Sequence, residues 1–72
     1  MAAITTTYGL LFINGMLYNL GDVIPVVKYV DETGEYWELE NVEITGITEE
    51  CVEFMSQGCI YVVPVYKIQD VE

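Results

Sequence analysis

The 72-residue chain has no histidine and no arginine, and its two lysines, Lys28 and Lys67, stand against twelve Asp and Glu for a formal net charge of −10. Phosphate backbones and anionic lipid surfaces are bound by Lys and Arg that displace counterions. Direct nucleic-acid binding and attachment to a membrane surface are therefore not expected. The natural partner of such a charge balance is a basic protein surface, which it would meet quickly at low salt. Long apolar runs are missing too. Stretches such as Leu10 to Ile13 fall far below the roughly 20 residues that cross a bilayer. The first residues carry no positive segment, so no cleaved leader is expected. The two cysteines, Cys51 and Cys59, do not form a CxxC pair. A hairpin turning at Ser56-Gln57 sets Cys59 opposite Phe54 rather than Cys51, a poor geometry for a disulfide. Two buried thiols in a reducing, cytoplasmic setting are the reading that follows.

Without His or Arg to position a substrate, and with little room for a cleft in so short a chain, shared carboxylate catalysis of the glycosidic kind is not expected. Asp31, Glu32 and Glu35 surround a turn but lack the ligand spacing of a calcium loop. The chain is read as a non-enzyme with no cofactor and no metal. It also lacks a helical period, internal repeats and low-complexity segments.

What is present is apolar and extended. Hydrophobic residues make up 53% of the chain, which is high for a single small domain that buries only about 60% of its extended-chain surface. The surplus is expected to be covered by a partner or by further copies, so a homo-oligomer is expected. Met1 to Ala3 are expected to be loose. Ile4 to Ile13 is one run of strand-forming residues. Asn14-Gly15 joins Tyr8–Ile13 to Met16–Leu20 as a hairpin, since both turn residues take positive φ. The chain is organised around Val23 to Phe54. Val23–Val30 is a strand with Pro25 near its start, at an edge or at a bulge. Asp31–Gly34 turns, and Glu35–Ile47 is a long strand whose apolar parity shifts between Leu39 and Val42, predicting a bulge or sharp bend near Glu40-Asn41. Cys51–Met55 and Cys59–Val63 follow, the latter apolar on both sides and so expected to be buried on both. Pro64 interrupts, and Val65–Val71 closes the chain as an edge strand.

Nine of the twelve acids lie in one third of the chain: Asp31, Glu32, Glu35, Glu38, Glu40, Glu43, Glu49, Glu50 and Glu53. Alternate strand residues share a face about 6.6 Å apart. Glu38 and Glu40 thus form a short row, which Glu43 and Glu53 extend if the bend allows. Such a row either imitates a phosphate backbone in a basic groove or is a solvated outer face. The partner-binding set is Glu35, Glu38, Glu40, Glu43, Glu49, Glu50 and Glu53. Tyr29, Tyr36, Trp37, Tyr61 and Tyr66, with Tyr8 and Tyr18, either stack on a planar ligand at subunit junctions or pack a core and interface. Lys28 and Lys67 are the only side chains available to an anion.

The segment VIPVVKYVDETGEYWELENVEITGITEECVEF, followed by YVVPVYKIQDV, resembles the SH3-like small barrels, most closely the Sm-like branch. The resemblance implies a strand, a turn, a bent strand and a closing strand in a curled sheet, and a habit of forming rings. The Asp-Asn and Arg-Gly elements that serve RNA binding in that branch are absent from Ile47–Cys51 and Val63–Ile68. The expectation is therefore one all-β domain over residues 1–72, with an N-terminal hairpin (1–22) and a small SH3-like antiparallel barrel (23–72). Its expected role is an acidic protein-binding module, by analogy with the small inhibitors that phages and mobile elements use against host defence or nucleic-acid enzymes. The alternatives are a homo-oligomeric assembly subunit and an oligomeric sponge for a nucleotide-like signal.

Overall fold

The computed structural model describes residues 3–7 and 9–72. Among the described residues eight strands pair antiparallel and form two sheets. The first sheet has three strands in chain order: β1 (Ile4–Thr7), β2 (Leu10–Ile13) and β3 (Met16–Tyr18). The second has five: β4 (Val23–Val30), β5 (Tyr36–Ile47), β6 (Cys51–Ser56), β7 (Cys59–Pro64) and β8 (Ile68–Val71), in the order β7-β6-β5-β4-β8. A single 3-10 turn at Val65–Lys67 precedes β8.

The Asn14-Gly15 hairpin forms as the dipeptide requires, with φ of 51° and 81° and Ile13 opposite Met16. The Asn14 carboxamide oxygen also accepts from the Ala3 N–H at 3.0 Å, which ties the start of the chain to the turn. The run Ile4–Ile13 is not one strand. It turns at Gly9, where φ is +75°, and folds back so that Thr7 faces Leu10. The N-terminal unit is thus a three-stranded sheet rather than a hairpin. The expected hairpin boundary at Tyr8, and the expectation for Met1 and Ala2, lie outside the described residues.

β4 and β5 are the centre of the larger sheet. On β4 the buried residues are Ile24, then Val27 and Tyr29; on β5 they are Leu39, then Val42 and Ile44. Both sequences step by three at the same level, between Ile24↔Val42 and Val26↔Glu40, and the register does not slip there. Each strand turns its other face inward at that point. Asn41 takes φ of 51°, a left-handed conformation that Asn tolerates better than most residues. Pro25 falls at this level, where its missing N–H interrupts the ladder least. The expected change of parity is therefore a paired bend, not a bulge. The register irregularities lie elsewhere, between Ile44 and Gly46 and between Lys28 and Tyr29. β4 pairs with β5 on both sides of the bend, from Tyr36 to Glu43, whereas β6 joins β5 only from Glu43 onward. Ser56, at the end of β6, donates its hydroxyl to the Glu40 carbonyl at 2.8 Å and so fixes the two halves at the corner.

Leu11 and Ile13 from the small sheet pack with Ile24, Val27, Leu39, Val42, Ile44, Val52, Phe54, Val63 and Ile68 in one core. The link from β3 to β4 is held by backbone bonds that continue the β4–β5 pairing: the Gly21 N–H donates to the Ile44 carbonyl at 2.8 Å, and the Ile44 N–H to the Asp22 carbonyl at 2.9 Å. Thr6 donates its hydroxyl to the Glu49 carbonyl.

Several sequence expectations change here. The five-stranded sheet curls but does not close into a barrel, because its edge strands β7 and β8 do not pair. β7 is an edge, so it is not buried on two sides; only Val63 is buried, while Ile60 and Val62 are exposed. The β6–β7 hairpin turns at Gln57-Gly58, both with positive φ. Cys59 therefore faces Ser56, not Phe54, and Cys51 faces Pro64 at the far end. Both thiols are free, with Cys59 exposed and Cys51 half-buried rather than both buried. Val65–Val71 is not a continuous strand, since Pro64 leads into the 3-10 turn before β8 runs along β4.

The bend carries a direct test. Asn41→Val places a β-branched residue in a left-handed conformation, at a cost of about 1–2 kcal/mol, and lowers Tm by roughly 4–15 °C in a domain of this size. Asn41→Gly keeps the wild-type Tm to within a few degrees. Equal losses in thermal melts of the two variants would contradict the bend geometry.

Candidate functional site

The Asp31–Gly34 turn links β4 to β5 and is built on one carboxylate. Asp31 Oδ1 accepts from the Thr33 N–H at 2.8 Å, the Thr33 hydroxyl at 2.7 Å and the Glu35 N–H at 2.9 Å; Oδ2 accepts from Trp37 Nε1 at 2.8 Å. An Asp two residues before a Thr and three before a Gly is the signature of a side chain that imitates a backbone turn. Four donors, the Thr33 hydroxyl and Trp37 indole foremost, hold the Asp31 carboxyl well below the usual carboxylate range. Asp31 is thus occupied within the fold. Among the described residues no group of three or more His, Cys, Asp or Glu could hold a metal ion.

Asp31 sets Trp37, and Trp37 sets the aromatic cluster. Trp37 lies opposite Tyr29 across the β4–β5 ladder, and the two rings stack with centroids 6.4 Å apart and planes 13° from parallel. Burial pushes the Tyr29 hydroxyl pKa upward. Tyr29 and Tyr61 line a concavity of about 420 Å³ between the Asp31 turn and β7. Trp37 and Tyr61 then share a second hollow of about 360 Å³ with Glu38, Glu40 and Cys59. This second hollow lies along the half of β5 that β6 leaves unpaired. Of the aromatic candidates, Tyr29, Trp37 and Tyr61 come together. Tyr36 is exposed opposite Val30, and Tyr66 stands apart beside Ile4, Glu49 and Glu50 at a third hollow.

The acids do not form one row. Glu38 and Glu40 border the Trp37–Tyr61 hollow. Glu43 lies past the bend, half-buried between Val23 and Met55. Glu53 is half-buried; its Oε2 accepts from the Thr45 hydroxyl at 2.9 Å. Its Cβ lies so near Gly46 that a Cβ added there would come within 3.2 Å. Glu35 sits in the turn before β5, whereas Glu49 and Glu50 lie in the loop after it. Their backbones brace that loop, Glu50 accepting from the Val65 N–H at 2.8 Å.

Both lysines are committed within the fold. Lys28 Nζ lies 3.2 Å from Glu72 Oε2, and it faces Glu38 on β5 and Asp70 on β8. The hydrogen bond that Lys28 donates to Glu72, followed by the charge of that carboxylate, raises the Lys28 pKa. Lys67 Nζ donates to the Asp31 carbonyl at 3.3 Å and lies 5.9 Å from the Tyr66 ring centroid. The anion-contact role expected of these residues thus competes with structural roles. The signal that would have revealed this is the position of Glu72 and Asp31, which register with the lysines only once β8 pairs with β4.

No described helix is long and apolar enough to cross a membrane. The fold defines an all-β chain of two antiparallel sheets around one core. No protein-family model, no curated protein and no solved structure matches the chain.

The Asp31 turn links pH to stability. A carboxylate held below its ordinary value of 3.8 stabilises the fold at pH above that value, and the contribution disappears as pH falls through the folded value. Urea midpoints measured from about pH 7 down to about pH 2 are expected to fall more steeply below pH 4 in wild type than in Asp31→Asn. Asp31→Asn also lowers the midpoint at neutral pH, because its amide can offer only one oxygen to the four donors. Parallel pH profiles would remove Asp31 from the centre of this turn.

Proposed function

We propose that the chain is a non-enzymatic binding module that docks on a basic protein surface, with the Trp37–Tyr61 hollow receiving a lysine or arginine of the partner. The observation that carries this reading is the composition of that hollow. Two exposed carboxylate residues, Glu38 and Glu40, border the same space as two aromatic rings. An aromatic face attracts a cation by about 0.5–2 kcal/mol, and adjacent carboxylates add charge. Glu40 is the freer of the two carboxylates to meet a partner's cation: Val26 lies across from it, whereas Glu38 has Lys28 across from it.

The module reads as a small inhibitor or adaptor, by analogy with the acidic proteins of phages and mobile elements, acting in the cytoplasm, where free Cys51 and Cys59 stay reduced. The strand order β7-β6-β5-β4-β8, the bent β5 and the 3-10 turn before β8 support reading the larger sheet as an opened SH3-like barrel. Direct nucleic-acid binding finds no support, for want of free cations.

The test uses a fluorescently labelled lysine-rich peptide as the probe. Glu38→Lys/Glu40→Lys is compared with Glu49→Lys/Glu50→Lys, which has the same net charge. The hollow variant is expected to weaken binding about tenfold or more, or at least about 1.4 kcal/mol, and the loop variant much less. Circular dichroism confirms that each variant folds. Equal weakening would mean that only overall charge matters, and the hollow would lose its role.

A further inference from the structure

Charge is segregated along this chain. Residues 1–21 contain no Asp, Glu, Lys or Arg, so all fourteen charged side chains, twelve acidic and two basic, begin at Asp22. The uncharged part is the three-stranded sheet. Leu11 and Ile13 point from it into the core, so Leu10 and Phe12 on β2 face the other way. Register places Thr5 and Leu17 on either side of Phe12, and Thr7 beside Leu10. That outer face is therefore Thr5, Thr7, Leu10, Phe12 and Leu17, without one ionisable group. Leu10 is 41% and Leu17 49% exposed on this face; at its border Met16, which opens β3 opposite Ile13, and Leu20 beyond β3 reach 65% and 62%. In a monomer this apolar surface stays in water at a cost of about 25 cal/mol per Å².

We infer that this face pairs with a second copy of the chain, the two small sheets packing against each other so that the acidic sheets point apart. The argument for a second copy is electrostatic. Two copies of net charge −10 repel across any surface that brings their carboxylates together, and this is the one described sheet face that brings none. A basic partner is drawn to the acids on the larger sheet and gains nothing from a face without charge. An anionic bilayer repels the same acids. The face is small beside the roughly 800 Å² per partner of a standard interface, so the dimer dissociates on dilution. Residual repulsion between the acidic halves, screened by salt over about 10 Å at 0.1 M, sets its salt dependence. Added salt tightens this dimer, whereas it loosens one held by ion pairs.

Sedimentation velocity on the full chain, from about 1 to about 300 µM, is the test. Wild type is expected to shift from monomer to dimer across that range, and to do so at lower concentration in 0.5 M salt than in 0.05 M. Leu17→Glu stays monomeric throughout while keeping the wild-type circular dichroism spectrum. Val62→Glu, an equal change on the exposed edge strand β7, dimerises as wild type does. A wild type that is monomeric at every concentration overturns the inference. So does a dimer that Val62→Glu abolishes and Leu17→Glu leaves intact, since that places the contact on β7. A dimer weakened by salt overturns it as well, since ion pairs would then hold the copies together. If Leu17→Glu unfolds, Leu10→Lys serves as the second variant on the same face, with the same expected result.

Discussion

Everything in the larger sheet depends on the paired bend where β4 and β5 turn over together at Pro25 and Asn41. A flat pair of strands shows one face to a core and the other to water. By stepping three residues instead of two at the same level, both strands keep apolar side chains inward on either side of a corner. Ile24 and Val42 serve one half, and Val27, Tyr29 and Leu39 the other. This lets β5 keep β4 beside it through the corner to Glu43 and take β6 from Glu43 onward, so that the five strands curl around a core that includes Phe54. The corner is held by little: one Asn with positive φ, one Pro without a donor, and the Ser56 hydroxyl on the Glu40 carbonyl. A domain this small has few reserves, since net stability is usually a small difference between large terms.

The same corner makes the candidate site. Because β6 leaves β5 before the bend, Trp37 to Glu40 keep one edge unpaired, and the end of the β6–β7 hairpin stands across a gap from them. Trp37 is placed there by the Asp31 turn and by its stack on Tyr29. An acid that looks at first like part of a charged surface thus works as a structural hydrogen-bond acceptor, and two of its neighbours, Glu38 and Glu40, are left at the hollow. The acids therefore differ in kind: Asp31 and Glu53 are tied to hydroxyls and amides, while Glu38, Glu40, Glu49 and Glu50 are exposed.

The two ends of the chain divide the work of solubility. Every charged side chain lies from Asp22 onward, in the larger sheet and the loops that join and flank its strands, and the small sheet carries none. The small sheet contributes Leu11 and Ile13 to the core and is tied to the loop after β5 by the Thr6 hydroxyl on the Glu49 carbonyl. Its outer face has no such obligation, and its exposed leucines are not needed by the fold as it stands.

The sequence by itself determined the all-β class, the Asn14-Gly15 turn, the extents of β4 and β5, and the change of parity between Leu39 and Val42. These are local properties, written in the period of two along a strand and in residues that accept positive φ. It also determined the charge imbalance of two lysines against twelve acids, whereas the engagement of those lysines with Glu72 and the Asp31 carbonyl was decided by the fold. Other features required the tertiary structure. Gly9 looked like one residue in an apolar run, yet it is a turn, because Thr7 and Leu10 gain partners by folding back. Gln57-Gly58 rather than Ser56-Gln57 makes the last hairpin turn, because that choice puts Phe54 and Val63 in the core and buries Ser56 against Glu40. β7 became an edge because the sheet does not close, a matter of long-range strand pairing that no local pattern records. Which acids stand at the hollow, and which are bound up by Thr33, Trp37 and Thr45, was decided in the same way: side-chain hydrogen bonds form between residues that only the folded chain brings within reach.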